Sequence, residues 1–269
     1  MAPLKVDRVL QLLETRSKGW RLRYSRSCES TQELARAALA EGEGEHLALV
    51  TDFQRAGRGR HGKSWVAPAE QALLFTAVLR VDPPPATLIP LAAGVALAEA
   101  VEAASGVRVD LKWPNDLQVG AAKLGGILVE RPPGGCALVG IGINVSQRES
   151  DLPLGIPATS LAHVSPGVVD REALLAEVLV RLERTWDRLL EQGAGWVRTA
   201  WKERSTMLGR PVELATAGRP TRTGVAEDLS PDGALIVRLA DGRLETVVAG
   251  EVRVRSAGSA PDRDRAHHL

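Results

Sequence analysis

Apolar residues at Val6, Val9, Leu10 and Leu13 recur at helical spacing, after which Trp20, Leu22 and Tyr24 alternate with arginines as an extended strand does. Ser30 followed by Glu33 predicts a capping box: Ser30 accepts from the backbone N–H of Glu33 while the Glu33 side chain reaches back, so a helix begins at Thr31. Apolar runs at 47–51 and 73–81 read as buried strands on either side of a glycine-punctuated loop at 52–68, and the prolines 83–85 stop the second strand. An alanine- and leucine-rich run at 89–104 predicts a helix laid on a sheet. Strands follow at 107–112, 123–130 and 136–144, the last two joined through Pro132-Pro133-Gly134-Gly135. Leu174, Leu175, Val178, Leu182, Trp186, Leu189 and Leu190 make 170–192 the clearest amphipathic helix, with a second helix expected at 196–205.

The texture changes after Met207 to short β runs separated by Ser230-Pro231-Asp232-Gly233 and Asp241-Gly242, the pattern of a small antiparallel barrel. The expected organisation is therefore a domain over 1–206, a small β domain over 207–256 and a frayed polar tail over 257–269. No internal repeat is visible.

Composition narrows the class. Of 269 residues 44% are hydrophobic and 25% charged, the balance of an ordinary globular chain and not of a disordered or fibrous one. Thirty-four basic against 33 acidic side chains leave a net +1, so any anion site has to be local. Two distant cysteines, Cys28 and Cys136, and five scattered histidines offer no zinc spacing, and the N-terminal segment has no signal-peptide run. The expectation is a cytoplasmic protein with no membrane span and no metal held by Cys or His.

The segment 54–65, QRAGRGRHGKSW, carries four permanent cations and three glycines. Glycines let backbone N–H groups approach an anion and guanidinium forks suit phosphate or carboxylate, so the segment reads as an anion cradle that is mobile when empty and ordered when filled. Taken alone it fits a solvated basic loop or an RNA contact equally well. Lys112-Trp113-Pro114-Asn115-Asp116-Leu117 sits at a strand end, where it is either a polar site corner or simply a turn. Lys123 opens an otherwise apolar strand; its ammonium needs a partner or ligand if it faces inward, and otherwise snorkels to water. Gly140-Ile141-Gly142-Ile143-Asn144 lacks the third glycine of a dinucleotide fingerprint, and there is no P-loop; its glycines suit a ligand lying against a strand.

Ser30-Thr31-Gln32, GRGRHGKSW, KWPNDL, KLGGILVE and GIGIN, in this order and spacing, resemble the biotin protein ligases, from about Leu22 to Arg255. Departures from the family pattern are Gln32 where Asn is frequent, His61 and Lys63 where Arg is common, and Gly125 where Ala is frequent. The resemblance implies an α+β fold: a mixed-sheet catalytic domain with flanking helices, like class II aminoacyl-tRNA synthetases, plus an SH3-like C-terminal barrel. It implies ligation of biotin to a lysine of a biotin carboxyl carrier protein through biotinyl-5′-AMP, with ATP and with Mg²⁺ carried on the ATP phosphates.

By the same resemblance Ser30, Thr31, Gln32, Gln54, Gly57, Arg58, Gly59, Arg60, Lys123, Gly126, Gly140 and Gly142 bind biotin. Arg60, His61, Gly62, Lys63, Trp65, Lys112, Asn115, Asp116 and Asn144 line the ATP side, and Lys123, Arg58 and Arg60 carry the chemistry. Glu251 and Arg255 are the barrel residues expected nearest the site. The short segment ahead of Ser30 has room for one helix and a strand, too little for a helix-turn-helix, so sequence-specific DNA binding is not expected. A homodimer stays open. The competing readings are a lipoate or octanoate ligase on the same fold and an RNA-binding module; near-zero charge with one Tyr and two Phe speaks against the latter.

Overall fold

The structure, a computed structural model, describes residues 2–80, 86–215, 221–248 and 250–254. The chain divides into two compact units, Met1–Thr206 and Met207–Leu269. The expected strand end at Val81, the proline stop at 83–85 and the polar tail lie outside the described residues.

The first unit opens with α1 (Val6–Leu13), β1 (Arg21–Ser25), α2 (Thr31–Ala40) and β2 (Leu47–Thr51). After the glycine-rich loop come β3 (Ala72–Arg80), α3 (Leu88–Ser105), β4 (Asp110–Lys112), β5 (Asp116–Val119), β6 (Ala122–Glu130) and β7 (Cys136–Asn144). The unit ends with α4 (Leu161–Val164), α5 (Arg171–Gln192) and α6 (Gly195–Lys202). One mixed sheet runs β1-β2-β3-β7-β6-β5-β4, in which only β1 and β2 pair in parallel.

Strand alternation sorts side chains between the two faces. Leu47, Leu49, Val78 and Leu138 share one face, where Ala35 and Ala38 of α2 pack on them. The opposite face presents Ile127 and Leu111 to α3, whose Gly94 lies against both side chains. By length and composition α3 alone, among the described residues, would suffice to cross a membrane, but most of its residues are buried inside the unit. Its two acids are tied down, Glu99 by Arg181 of α5 and Glu102 by Arg204.

Several local expectations are corrected. The reciprocal capping box does not form: Ser30 accepts from the N–H of Gln32 at 3.3 Å, while the Glu33 side chain turns away to pair with Arg58. The strand expected at 107–112 is only β4. Val107 N–H goes to Ser105 Oγ and Val109 N–H to Glu102 Oε1, so these residues seal the end of α3 instead of joining the ladder. β5 leaves no mark in the apolar pattern because the KWPND corner folds straight back into a hairpin of three paired positions. The helix expected to reach Ser205 stops at Lys202, since Arg204 O accepts from Leu111 N–H and Thr206 N–H donates to Leu111 O.

In the second unit β8 (Pro211–Ala215), β9 (Arg222–Leu229), β10 (Leu235–Leu239), β11 (Leu244–Val247) and β12 (Glu251–Val254) form an antiparallel sheet in the order β11-β10-β9-β8-β12.

One buried ion pair organises the first unit. Asp52 and Arg171, with side chains 1% and 3% exposed, meet at 3.0 Å. The other Asp52 oxygen accepts from Tyr24 Oη and from the backbone N–H of Leu4, and Arg171 also donates to the carbonyl of Ala2. The N-terminal segment, β1, β2 and α5 are thereby joined at one carboxylate. Burial first, then the Asp52 carboxylate, pushes the Tyr24 phenol up from 10.0 to about 12.

A raised tyrosine pKa contributes stability that is complete below pH ~10 and lost as pH climbs through the folded value. Tyr24→Phe should therefore lower stability by about 1–2 kcal/mol below pH ~10. Urea midpoints of the two proteins should converge as pH rises from 10.0 to about 12. A gap independent of pH would show that the Tyr24 proton is not held by Asp52.

Candidate active site

Leu74 and Thr76 of β3, Gly140 and Gly142 of β7, and Gly126 of β6 stand in register on the α2 face of the sheet. Three of these five have no side chain, and two large groups lie in the space. A Cβ built on Gly140 would meet Gln32 Nε2 at 2.8 Å, and one built on Gly142 would meet the Trp65 indole at 2.5 Å. One on Gly126 would meet both Trp65 and Lys123 Nζ at 3.3 Å.

At one end of this floor the start of α2 supplies polar groups. Ser30, Thr31 and Gln32 are all buried. Gln54 Oε1 accepts from Thr31 N–H at 2.8 Å and from Thr31 Oγ1 at 3.2 Å, and Thr76 Oγ1 donates to Thr31 Oγ1 at 2.8 Å. Gln32 donates to the carbonyl of Leu128 at 2.8 Å, leaving its own Oε1 buried with no protein partner.

At the other end lies the charged cluster. Lys123 Nζ reaches Asp116 Oδ1 at 2.6 Å and stands 5.7 Å from the centre of the Trp65 ring. Lys123 thus faces inward with a partner. Arg60 donates to Asn115 Oδ1 at 3.3 Å, and Asn115 is itself fixed by bonds in both directions with the backbone of Ile127. Burial lowers the Arg60 pKa, partly offset by the nearby Asp116. A guanidinium remains cationic under such a shift, so the cluster holds two fixed positive charges beside one carboxylate. Lys112 is half-buried on β4, at the same corner as Asn115 and Asp116. Asn144, at the end of β7, is buried and donates to the carbonyl of Thr159.

The basic loop has a defined path without ligand. Arg58 pairs with Ser64 in an antiparallel bridge, Gly59 N–H donates to Lys63 O at 2.7 Å, and Trp65 N–H donates to Gly57 O at 2.9 Å. Gly57 leaves no room for a side chain, since a Cβ would lie 2.3 Å from the Trp65 carbonyl. The loop tip turns through His61 and Gly62, both in the left-handed region at φ 55° and 73°. Arg58 is tied to Glu33 and Arg55 to Glu29, all exposed pairs. Such pairs hold by about 0–1 kcal/mol each, so Arg55 and Arg58 exchange their partners at low cost.

Of the expected site residues, Ser30, Thr31, Gln32, Gln54, Gly126, Gly140, Gly142 and Trp65 surround the floor, with Arg60, Asn115, Asp116 and Lys123 at its charged end. Trp65 lies over Gly142 and Gly126, on the floor itself. Arg58, His61 and Lys63 are exposed on the loop. Arg255 and the side chain of Glu251 lie outside the described residues. Sequence reasoning missed Thr76, Glu33 and the segment 157–160 that bonds along Lys123. A lone hydroxyl in the apolar run of β3 was the one available signal, at Thr76. Among the described residues no group of three or more His, Cys, Asp or Glu side chains could hold a metal ion.

The chain is similar to known proteins over most of its length. Residues 24–146 match the biotin/lipoate A/B protein ligase family, and residues 207–255 match the biotin protein ligase C terminal domain. The biotin–[acetyl-CoA-carboxylase] ligase of Paracoccus denitrificans is 32% identical over 227 residues, covering 80% of this chain and 92% of that protein. The enzyme of the same name from Mycobacterium tuberculosis is 30% identical over 247 residues, covering 87% and 89%. Among solved structures, the biotin protein ligase from Aquifex aeolicus in complex with biotin and ATP superposes with a TM-score of 0.77 at 29% identity, over 87% of this chain and 99% of that one.

The floor makes a sharp contrast between two glycines. Gly142→Ala should displace the Trp65 indole, destabilise the unit by about 1–3 kcal/mol and raise the fraction of tryptophan emission quenched by acrylamide. Gly94→Ala places its Cβ no closer than 3.5 Å to Leu111, an ordinary contact. Because alanine is the better helix former by roughly 0.5–1 kcal/mol, it should leave the melting temperature unchanged or slightly raised. Equal effects from the two variants would mean the floor is not tightly covered.

Proposed function

The chain belongs to the biotin protein ligases, within the biotin/lipoate A/B protein ligase family, and from that membership and the site geometry we propose how its residues ligate biotin. It is an ATP-dependent ligase that joins biotin to the carrier protein of a biotin-dependent carboxylase through an acyl-adenylate. The carrying observation is the glycine floor with hydroxyls and an amide at one end and Lys123 and Arg60 at the other. A flat bicyclic ureido ring with an acyl tail has this distribution: donors and acceptors at the ring, a carboxylate at the tail.

In the proposed assignment Ser30, Thr31, Gln32 and Gln54 meet the ureido ring, which takes the bare surface of Gly126, Gly140 and Gly142 as the side chains now covering it shift aside, with Gly57 and Gly59 of the loop nearby. The tail carboxylate reaches Lys123 and Arg60. Lys112, Asn115, Asp116 and Asn144 face the nucleotide, with His61, Gly62, Lys63 and Trp65 on its loop side and Arg58 closing over it. Asp116 as the site's carboxylate, already paired with Lys123, and two amides make no cage for a free divalent ion. Mg²⁺ fits here as a passenger on the triphosphate, where it would neutralise phosphate charge.

In the first step a carboxylate oxygen attacks the α-phosphorus; a C–O–P bond forms, the α–β bridging P–O bond breaks and pyrophosphate leaves. The step brings anions together, so fixed cations lower its barrier most where charge accumulates, at the phosphoryl oxygens. Lys123, held by Asp116, and the desolvated Arg60 are such cations. In the second step the neutral amine of the carrier lysine attacks the acyl carbon, the amide forms, AMP leaves with the electron pair and the amine proton is lost. Closure of the loop over the adenylate excludes water between the steps.

The second unit is assigned as an SH3-like barrel within a domain over 207–256, supported by its match to the family's C-terminal domain. Two buried free thiols, Cys28 and Cys136, support a reducing cytoplasm. The lipoate ligase and RNA-binding readings are not favoured, the relatives being biotin ligases.

Biotin should drive exchange of pyrophosphate into ATP, and lipoate should not; exchange with lipoate alone would replace the substrate. Lys123→Ala should cut that exchange by about 10²-fold or more at saturating biotin. Unchanged turnover would remove Lys123 from the chemistry. Arg60→Gly should release biotinyl-AMP to bulk solvent faster than wild type, measured by filtration and chromatography, and equal retention would count against closure through Arg60.

A further inference from the structure

Beyond β7 runs a buried polar chain that the proposed chemistry uses only at Asn144 and Lys123. Gln147, 1% exposed, donates from Nε2 to Asn144 Oδ1 at 2.8 Å. Asn144 donates from Nδ2 to the Thr159 carbonyl at 3.0 Å. Thr159 N–H donates to the Lys123 carbonyl, and Lys123 N–H to the Pro157 carbonyl, both at 2.9 Å. Ser160 Oγ donates to the Gln147 carbonyl at 2.8 Å, closing the chain on itself.

Each bond in the series has only one workable direction. Thr159 offers a carbonyl, so Asn144 must turn its NH₂ there and its oxygen toward Gln147, and Gln147 must answer with its own NH₂. The remaining Gln147 oxygen is then buried with no protein partner. An orphaned acceptor is a cost that the fold accepts in order to hold Asn144 in one orientation.

The far end of the chain is where that orientation matters. Lys123 lies beside an irregularity in the β5–β6 ladder, the register shifting between Leu117 and Gln118. Lys123 still pairs with Gln118 there, and the 157–159 segment adds a single parallel bridge, Lys123 to Ala158. Resting on the ligase reading above, we propose that Gln147 is a positioning residue for adenylation: through Asn144 and Thr159 it fixes the backbone from which Lys123 reaches the reacting phosphate. Asp116 orients the ammonium; Gln147 sets the strand beneath it. Misplacement of a reacting group by about 1 Å is enough to cost roughly two orders of magnitude in rate, so an amide that acts only through Asn144 and Thr159 can govern kcat.

Gln147→Leu keeps the volume and removes the donor. Biotin-dependent pyrophosphate exchange should lose about tenfold in kcat, the equivalent of about 1.4 kcal/mol. The biotin dissociation constant should change by less than kcat does, since the ureido ring is held by residues outside the chain and only the carboxylate meets Lys123. In an Asn144→Ala background the same substitution should have almost no further effect, because the path is already cut. Additive losses in that background would show a general structural role and overturn the proposal, as would a rise in the KM for ATP with kcat unchanged, which marks a direct nucleotide contact. Should Gln147→Leu fail to fold, Gln147→Asn keeps an amide but is one methylene short of Asn144, and carries the same comparison. Wild-type protein without biotin-dependent exchange overturns the ligase reading itself; normal exchange in wild type and variant alike overturns the role of Gln147 alone.

Discussion

No Cβ fits above Gly140 or Gly142 on the α2 face of the sheet, and the site is arranged around that constraint. A strand-interior glycine gives up roughly 0.5–1 kcal/mol against alanine, yet β6 and β7 present three in register. The position of β7 offsets the cost. It is a central strand, paired along its whole length with β3 and over most of it with β6, and every one of its residues is buried. With the ladder secured by backbone bonds, the face is free to be bare. Gln32 and Trp65 then rest directly on peptide groups, and residues as distant in sequence as Trp65 and Gly142 come to share one surface.

Charge is distributed with the same economy. The chain as a whole is neutral to within one charge, but the loop and the β4–β6 corner concentrate cations at two depths. Arg55 and Arg58 lie outermost, each paired with an exposed glutamate at or near the start of α2. Arg60 and Lys123 lie deeper, with Asp116 between them. The outer pairs cost little to exchange for an incoming anion, whereas the inner cations are already partly stripped of water. An anion arriving at Lys123 therefore finds charge whose desolvation was met during folding, the condition under which fixed cations contribute most to a reaction barrier.

The sequence legible to periodicity and the sequence legible to motif are different stretches of this chain. Runs that are simply apolar or simply amphipathic, 47–51, 136–144 and α5, need no context, because burial on both faces or on one stripe dictates them. Glu33 misleads because a local pattern, S-x-x-E, competes with a distant arginine and loses; exposed acids choose among partners that only the fold brings near. The strand start at Val107 misleads for a related reason, since its N–H groups are taken by Ser105 and Glu102 at the end of α3. Lys123 is visible as an anomaly, a cation in an apolar strand, but its direction is not, and Asp116 decides it. Thr159 and Gln147 give no signal. Their contribution runs through a backbone carbonyl and an amide, groups carried by residues common in any loop.

Asp52 explains how so exposed a loop can hold Gln54 in place. It is the second residue before Gln54 and follows directly on β2, and its carboxylate is bound by Arg171, Tyr24 and the N-terminal segment. A buried ion pair of this kind adds little net stability, since removing two charges from water costs nearly what their attraction returns. What it supplies is direction: the carboxylate accepts only where donors converge, and so the exit of β2 is fixed relative to α5 and β1. Gln54 Oε1 then meets Thr31 at a set distance, Thr31 meets Thr76 on the sheet, and the polar end of the floor inherits the rigidity of the core. From Gly57 onward the loop leaves that anchor: Arg58 is held by an exposed pair with Glu33, while Arg60 reaches Asn115 and Trp65 packs on the floor, so one segment makes both shallow and deep contacts with the site by changing how deeply its side chains are buried.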